Sequence, residues 1–188
     1  MMASKDPLVW IDCEMTGLDP EKETILSLAC FVTDHNLNLL DKYGYEAIVH
    51  HSKEDLDRMG EWCTRHHGQS GLTEACIKST TTAEQAADGL LQYINKYVPT
   101  RQTGLLAGNS IHADKSFLVK APYNVVTDYL HYRILDVSSI KEAARRWASP
   151  EILEKIPKKQ MLHEARADIL ESIEEAKFYR KAFFVPDA

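Results

Sequence analysis

Apolar and polar positions in the first fifty residues predict three strands joined by short turns. LVWIDCEM (8–15) and ILSLACFVTD (25–34) are long apolar runs, and LDKYGYEAIVH (40–50) is a mixed polar and apolar stretch. The turn-rich segment TGLDPEKE separates the first two runs. Short turns favour antiparallel pairing, so we expect a three-stranded meander.

The pattern then becomes helical. Ser52 can cap a helix over EDLDRMGEWCTRHH (54–67), and Thr82 with Gln85 has the spacing of a capping box at the start of a second helix. Apolar residues recur at helical spacing along that second helix. They are Ala83, Ala87, Leu90, Leu91 and Ile94.

The rest of the chain alternates strands and helices. TGLLAGNSI (103–111) and YRILDV (132–137) are predicted strands, followed by the predicted helices ADKSFLVK (113–120) and KEAARRW (141–147). A final amphipathic helix has its apolar stripe between 165 and 176. We therefore expect residues 1–188 to form one α/β domain, a mixed five-stranded sheet flanked by helices.

Composition limits the compartment and the partners. The chain has 188 residues, of which 44% are hydrophobic and 27% charged, an ordinary globular balance. No apolar run reaches the roughly 20 residues that span a bilayer, so no membrane partner is expected. The four cysteines are scattered without a CxxC pair, which favours reduced thiols inside the cell. We expect a cytoplasmic protein, with a mitochondrial fraction left open.

The net charge argues against a long nucleic acid as the substrate. It is −6 at pH 7, with a pI of about 5.7. Proteins that grip long nucleic acids usually carry a basic stripe, because their affinity comes from neutralising many phosphates. The substrate is then either not a polyanion, or a very short one whose charge is met by a metal ion.

Acidic residues interrupt the pattern at three points. Asp12 and Glu14 lie two apart in the first predicted strand, so their side chains share one face beside an apolar run. Asp114 sits in the first turn of a helix just past a buried strand, and Asp168 lies early in the final helix. His163 precedes Asp168 by five residues, a net turn of about 140°, so it must lie in the loop before that helix if both face one site.

Divalent cations explain why carboxylates from separate elements would converge near strand ends. Mg²⁺ and Mn²⁺ prefer carboxylate oxygens, and a site with two such ions clamps the attacking and leaving oxygens of a phosphoryl displacement. A histidine with a pKa of about 6.5 can take the proton from the attacking water at neutral pH. Each acid alone also has a bland explanation. Asp12 and Glu14 could be a strand end that meets solvent, and Asp114 an acid at a helix dipole.

The motifs resemble those of a known family of nucleases. DxExTG at 12–17, an aspartate after GNSI, and HxxxxD at 163–168 look like the three exonuclease motifs of the DEDDh 3′–5′ exonucleases. More narrowly, the chain resembles the oligoribonucleases from about Leu8 to Phe184. The segments that carry this likeness are WIDCEMTGLD, WCTRHHGQSGL, GNSIHADKSFL and HYRILDVSSIKEAARRW.

This resemblance implies a ribonuclease-H-like exonuclease fold, a homodimer, and release of 5′-mononucleotides from the 3′ end of RNAs a few nucleotides long, dinucleotides especially. It makes His163 the general base. The implied ligands of two Mg²⁺ or Mn²⁺ ions are Asp12, Glu14, Asp114 and Asp168.

The resemblance also implies a site that closes around a short substrate. Leu18 matches a residue that wedges between two bases, and Trp62 matches a position that lines the same pocket. Tyr132 matches a residue that reaches over from the other subunit. The residues that correspond to a cap on the 5′ phosphate are Ser110, Arg133 and His67.

The chain departs from the family pattern at three places. Cys13 stands where many relatives have leucine, and we expect it to pack in the core on the strand face opposite the acids. Ala167 replaces the first of two successive aspartates, so Asp168 alone keeps the ligand spacing. The stretch VKAPYNVVTDYL (119–130), next to Tyr132, differs in sequence and length, so dimer contacts transfer least well.

Three other interpretations stay open at this point. Cys63, His66, His67 and Cys76 could bind zinc, although their spacing fits no standard zinc finger. A related 3′–5′ exonuclease that proofreads DNA or trims structured RNA would carry the same acids. A non-catalytic nucleic-acid-binding or scaffold subunit with a decayed site is the alternative from another class.

Overall fold

The centre of the molecule is a mixed five-stranded sheet. The computed structural model describes residues 5–157 and 165–185. Its strands are β1 (Leu8–Met15), β2 (Ile25–Thr33), β3 (Tyr45–Ile48), β4 (Leu105–Gly108) and β5 (His131–Asp136). They lie in the order β3-β2-β1-β4-β5, antiparallel from β3 to β1 and parallel from β1 to β5. The predicted sheet and its opening meander are confirmed.

Helices cover both faces of this sheet. They are α1 (Lys53–Leu56), α2 (Glu61–Gln69), α3 (Leu72–Lys78), α4 (Ala83–Tyr97), α5 (His112–Leu118), α6 (Asn124–Tyr129), α7 (Val137–Trp147), α8 (Pro150–Leu153) and α9 (Ala165–Tyr179), and a π-helical turn follows at Arg180–Phe184. Among the helices of residues 5–157 and 165–185, none has the length and apolar character needed to cross a bilayer.

Two parts of the helical prediction are wrong. The helix expected over 54–67 is two helices, because Gly60 adopts an extended conformation (φ −61°, ψ 157°) between α1 and α2. The short helices α3, α6 and α8 are not predicted at all. Each has between four and seven residues, too few to display a helical period in the sequence.

β1 separates two apolar layers and so decides where its acids point. Val9 and Ile11 pack in the layer formed with α4, α5 and α6, and Cys13 joins them there as expected. Trp10 points to the opposite face, into the layer formed with α7 and α9. Because side chains alternate along a strand, Asp12 and Glu14 share the face of Trp10. The acids therefore face α9.

β2 explains why the second apolar run has no polar alternation. All nine of its residues are buried, since β1 and β3 flank it and helices cover both of its faces. At its end, Thr33 accepts a hydrogen bond from the indole Nε1 of Trp10 at 3.0 Å. This strand gives β1 a rigid neighbour along its whole length.

The capping box predicted for α4 is confirmed. The hydroxyl of Thr82 accepts from the backbone N–H of Gln85 at 3.2 Å, and the Gln85 side chain accepts from the backbone N–H of Thr82 at 2.9 Å. Two of the backbone donors at this helix end are thereby satisfied. The residues that α4 then buries are Ala86, Ala87, Leu90 and Ile94.

Thr82→Ala is expected to lower the free energy of unfolding by about 1 kcal/mol, because it removes the hydroxyl that caps α4. Thr80→Ala is a matched control, since Thr80 is an exposed threonine just before the cap. It should change stability by less than about 0.5 kcal/mol. Urea unfolding followed by circular dichroism measures both variants, and equal effects would contradict the capping role.

Candidate active site

Three carboxylates meet near the end of β1. Asp12, Glu14 and Asp168 each offer an oxygen, and these oxygens all lie within 4.8 Å of one another. Among the described residues, no other group of three or more histidine, cysteine or acidic side chains comes together in this way. All three side chains are half-buried. The fold therefore concentrates negative charge at one place.

α9 brings Asp168 to the strand because its apolar stripe packs on the same face of the sheet. Ala165, Ile169 and Ile173 are buried in the layer that also contains Trp10. Asp168 lies in the first turn of α9, where the helix dipole favours an acid. Packing of the apolar stripe thus sets the position of the third carboxylate.

Asp114 lies beside this cluster rather than in it. It is buried in the first turn of α5, and its Oδ1 accepts a hydrogen bond from the backbone N–H of Cys13 at 2.9 Å. Cys13 stands between Asp12 and Glu14 in the strand. The fourth predicted ligand is therefore tied to the strand that carries the first two, at the level of the site.

Burial raises the pKa of two of these acids, and repulsion within the site adds to the rise at Glu14. The pKa of Glu14 rises from 4.5 to about 7, first because the carboxylate is desolvated and then because Asp168 and Asp114 are close. The pKa of Asp114 rises from 3.8 to about 6, mainly through burial, although the bond from Cys13 opposes the change. Negative charge at this site is costly unless a cation offsets it.

The donor set fits a hard divalent cation. All the converging atoms are carboxylate oxygens, which Mg²⁺ and Mn²⁺ prefer over nitrogen or sulfur ligands. Asp12, Glu14 and Asp168 are close enough to share one ion. The predicted general base, His163, lies outside the described residues, so its role stays a prediction.

A cavity of about 670 Å³ opens beside the carboxylates. Glu14 lines it on one side, and three of the predicted substrate-binding residues, Leu18, Trp62 and His67, also line it. The cavity joins the end of β1 to α2 and to the loop that follows β1. The sequence placed these residues in one pocket only by family resemblance, and the structure brings them together.

The loop after β1 presents Leu18 to solvent. The Leu18 side chain is 86% exposed, which is unusual for a leucine in an ordered turn. Thr16 donates a hydrogen bond to Glu23 across the base of the loop, and the backbone N–H of Thr24 donates to Thr16 Oγ1 at 3.0 Å. A Cβ at Gly17 would lie 2.9 Å from Glu23 Cδ, so the loop closes tightly there.

Trp62 forms another wall of the cavity, in the first turn of α2. It is 56% exposed, and its inner face stacks on the ring of His66 at 4.6 Å between centroids and 14° between planes. The indole is therefore supported on one face and open on the other. An aromatic ring held in this way can stack on a nucleobase.

His67 is buried and fixes α2 to the end of β1. Its Nε2 lies 3.0 Å from the carbonyl oxygen of Met15, so this nitrogen carries the hydrogen and donates it. Burial lowers the pKa of the ring, which favours the neutral form. Its Nδ1 is buried and makes no hydrogen bond within the described part of the chain. In the neutral ring this nitrogen is an acceptor, and it could donate to an anionic ligand only if the ring gained a second proton.

The other three predicted substrate-binding residues do not line this cavity. Ser110 lies after β4, where its backbone N–H donates to Asp136 Oδ1 and its hydroxyl to Ser138 Oγ, at 2.9 and 3.1 Å. Tyr132 and Arg133 lie at the start of β5, where the guanidinium sits 4.9 Å from the centroid of the tyrosine ring. Tyr132 is 67% exposed to solvent.

Comparison with known sequences gives a consistent result. The RNase_T family, described as exonuclease, matches residues 9–176. Mitochondrial oligoribonuclease of Saccharomyces cerevisiae is 45% identical over 186 residues, covering 96% of this chain and 68% of that protein. Oligoribonuclease of Rhodococcus jostii is 46% identical over 183 residues, covering 97% of this chain and 90% of that protein. The chain belongs to the oligoribonuclease family.

Solved structures show that this oligoribonuclease-family chain shares its fold with exonuclease I. Exonuclease I of Methylocaldum szegediense aligns with a TM-score of 0.64 at 14% identity, covering 96% of this chain and 41% of that one. The complex of Escherichia coli exonuclease I with single-stranded DNA aligns with a TM-score of 0.68 at 13% identity, with the same coverage of 96% and 41%. The expected ribonuclease-H-like exonuclease fold is confirmed.

A buried polar network behind the site was not predicted. Glu175 of α9 is 1% exposed and accepts hydrogen bonds from Asn109 Nδ2 at 3.1 Å and from Tyr179 Oη at 3.0 Å. Lys141 of α7 forms an ion pair with it at 3.3 Å. Glu175 lies seven residues after Asp168, on the same helix face. This spacing is the only feature of the sequence that could have predicted a role for Glu175 beside Asp168. Through its bond with Asn109, Glu175 links the turn after β4 to the helix that carries Asp168.

Asp136 is a second residue that the sequence did not single out. It ends β5 and caps α7, where its Oδ1 accepts from the backbone N–H of Ser138 at 2.9 Å. The same oxygen accepts from the backbone N–H of Ser110, which has a positive φ of 51°. Asp136 thereby holds Ser110 in this left-handed conformation, in which the Ser110 hydroxyl donates to Ser138 Oγ.

The zinc interpretation is not supported by the arrangement of its residues. Cys63, His66, His67 and Cys76 do not form a metal-ligand group among the residues that the structure describes. His67 is bound to the carbonyl of Met15, and the buried thiol of Cys76 donates to the carbonyl of Leu26 at 3.6 Å. His67 and Cys76 thereby hold α2 and α3 against the sheet.

Asp168→Asn is expected to stabilise the metal-free protein by roughly 1 kcal/mol, because it removes a charge that repels Glu14. Mn²⁺ should raise the melting temperature of the unaltered protein and have little effect on the variant. Thermal unfolding with EDTA and with Mn²⁺ measures both effects. Asp88→Asn, at an exposed position on α4, is the matched control and should respond to Mn²⁺ like the unaltered protein. A variant that is less stable without metal would contradict the repulsion.

Proposed function

We propose that the protein is a 3′–5′ exoribonuclease that degrades RNA oligonucleotides of a few residues, dinucleotides especially, to 5′-mononucleotides. One observation carries this proposal: three carboxylates meet beside a cavity of about 670 Å³ whose walls can stack on bases. That volume lies in the range of about 300–1,000 Å³ found for small-ligand sites. Such an enzyme completes RNA turnover by consuming the shortest fragments.

The proposed cofactors are two Mg²⁺ or Mn²⁺ ions in each active site. Asp12, Glu14 and Asp168 supply the shared oxygens, and Asp114 supplies the carboxylate oxygen that Cys13 does not use. When bound, such ions supply positive charge to the phosphoryl oxygens and favour ionisation of the attacking water. Family membership and the acidic cluster support a metal-dependent reaction.

His163 is the proposed general base. It precedes the first residue of α9 by two positions, and α9 carries Asp168. A neutral imidazole near this helix start would accept the proton of the attacking water at neutral pH. The attack breaks the bond to the 3′ oxygen of the preceding nucleotide and releases a 5′-mononucleotide.

Base stacking is the proposed means of holding the substrate. Trp62 offers one open aromatic face because His66 supports the other. Leu18 projects from a tightly closed loop and would enter between the two bases as a wedge. Stacking tolerates all bases, since each has an aromatic face, so the sequence of the RNA would matter little.

The 5′ end of the substrate is the proposed point of length selection. Ser110 and Arg133 would donate to the 5′ phosphate, His67 would join them only with its ring protonated, and Tyr132 would come from a second copy of the chain in a homodimer. The exposure of Tyr132 supports this, since its ring is open to contact with a second copy. A capped 5′ end leaves no room for further nucleotides, so longer RNA would be rejected by exclusion.

The charge of the chain agrees with a short substrate. The net charge of −6 offers no general attraction for a long polyanion. One or two phosphates need only Arg133 and the proposed ions as counter-charges.

We place the protein in the cytoplasm, with a mitochondrial fraction, and assign residues 1–188 to one exonuclease domain. The relatives from Saccharomyces cerevisiae and Mus musculus are named as mitochondrial enzymes. The match to the exonuclease family over residues 9–176 supports the single domain.

The length dependence of cleavage tests the proposed function. With Mn²⁺ present, kcat/KM for an RNA dinucleotide carrying a 5′ phosphate should exceed that for a 20-mer by about 10-fold or more, or about 1.4 kcal/mol of transition-state binding. Products separated by chromatography give both rates. Preference for the long strand would indicate a proofreading or trimming exonuclease, and the absence of metal-dependent mononucleotide release would indicate a decayed site.

His163→Ala is expected to reduce kcat by roughly 10²- to 10⁴-fold, because the general base is lost. The melting-temperature increase on adding Mn²⁺ should be retained, since the carboxylates are intact. His35→Ala, at an exposed turn after β2, is the matched control and should leave kcat unchanged. An unchanged rate in His163→Ala would exclude this histidine as the base.

A further inference from the structure

The first turn of α9 is held to the sheet by an arginine that the mechanism does not use. Arg166 is the second residue of α9. Its guanidinium donates through Nη1 to the carbonyl of Tyr43 and through Nη2 to the carbonyl of Lys42 at 3.1 Å. The same group lies 4.9 Å from the ring centroid of Phe31, a buried residue of β2.

These contacts join α9 to the connection between β2 and β3. Lys42 and Tyr43 lie in that connection, and Phe31 lies in the strand that precedes it. A guanidinium is planar and donates in a fixed fork, so two adjacent carbonyls and one ring define its position in three directions. Arg166 is half-buried, which limits competition from water.

Asp168 needs such an anchor because it faces repulsion. Two residues along a helix correspond to a rotation of about 200°, so Arg166 and Asp168 project to different sides of α9. Arg166 faces the β2–β3 connection, while Asp168 faces the acids of β1. Helix ends are the parts of a helix that open most easily, and here the end carries a carboxylate placed beside two others.

We propose that Arg166 is a positioning residue that fixes the first turn of α9 so that Asp168 stays within reach of a cation shared with Asp12 and Glu14. This inference rests on the proposed metal-dependent function and adds a residue to it. In this role the Arg166 guanidinium contacts two backbone carbonyls and the Phe31 ring, and it is not a ligand of the ion. It acts by holding one ligand in place before the ion arrives, which lowers the cost of assembling the site.

The sign of the effect on metal binding separates positioning from simple charge. Arg166 and Glu14 line a common cavity of about 360 Å³, so the guanidinium is a positive charge near the site. If charge alone mattered, removal of a cation would tighten the binding of Mn²⁺. If positioning dominates, removal of Arg166 weakens it. The two explanations therefore predict opposite changes.

Two variants and one control test the proposal. Arg166→Ala removes the anchor, and Arg166→Lys keeps the charge while losing the planar fork. Arg180→Ala is the control. Arg180 is the first residue after α9, and it donates to Asn36 Oδ1 at 2.8 Å. It therefore also ties a helix end to the turn after β2, but at the end of α9 that is far from Asp168. Isothermal titration calorimetry with Mn²⁺ alone, together with thermal unfolding, measures the metal affinity and the stability of each protein.

We expect Arg166→Ala to weaken Mn²⁺ binding by about 10-fold, which is the usual effect of removing a residue that orients a metal ligand. Arg166→Lys should weaken it in the same direction, which keeps the test open if the alanine variant folds poorly. Arg180→Ala should lower the melting temperature without changing the affinity. Unchanged or tighter binding in both Arg166 variants would overturn the inference. If the unaltered protein binds no Mn²⁺, the proposed function fails first and the inference falls with it.

Discussion

Repulsion among carboxylates that the fold forces together is the constraint on which the site depends. Asp12 and Glu14 face α9 because Trp10, two residues before the first acid, must be buried on that side of β1. Asp168 joins them because Ile169 and Ile173 bury the same side of α9. The apolar packing of two elements thus holds three negative groups within 4.8 Å, and the pKa of Glu14 rises to about 7 as a result of burial and of that repulsion.

Other contacts hold the acids and α9 in place despite this repulsion. Asp114 is stabilised by the backbone of Cys13, and Arg166 ties the first turn of α9 to the β2–β3 connection. Glu175 joins the same helix to the turn after β4. The cavity beside the acids is bounded by rings and an exposed leucine rather than by basic groups. Negative charge is therefore concentrated at the carboxylates, where cations can balance it, and the wall of the cavity that would hold the bases is apolar.

Local patterns in the sequence predicted the parts of the structure that local chemistry determines. The period-two acids of β1, the capping box of Thr82 and the apolar stripe of α9 each depend on neighbours within a few residues. Leu18 and Trp62 were assigned to the substrate pocket by family resemblance, because no sequence spacing relates one to the other. Arg166 and Glu175 were missed because their partners are 124 and 66 residues away in sequence. Such contacts exist only after the sheet has formed.

Diffraction from crystals soaked in Mn²⁺, recorded at a wavelength where manganese scatters anomalously, would show whether these carboxylates hold ions. We expect anomalous peaks between Asp12, Glu14 and Asp168, with carboxylate oxygens at about 2.1 Å from the ion. We also expect the position of α9 relative to β1 to be unchanged by the metal. A map without a peak at these residues, or carboxylates that face away from one another, would show that cations do not bring these acids together.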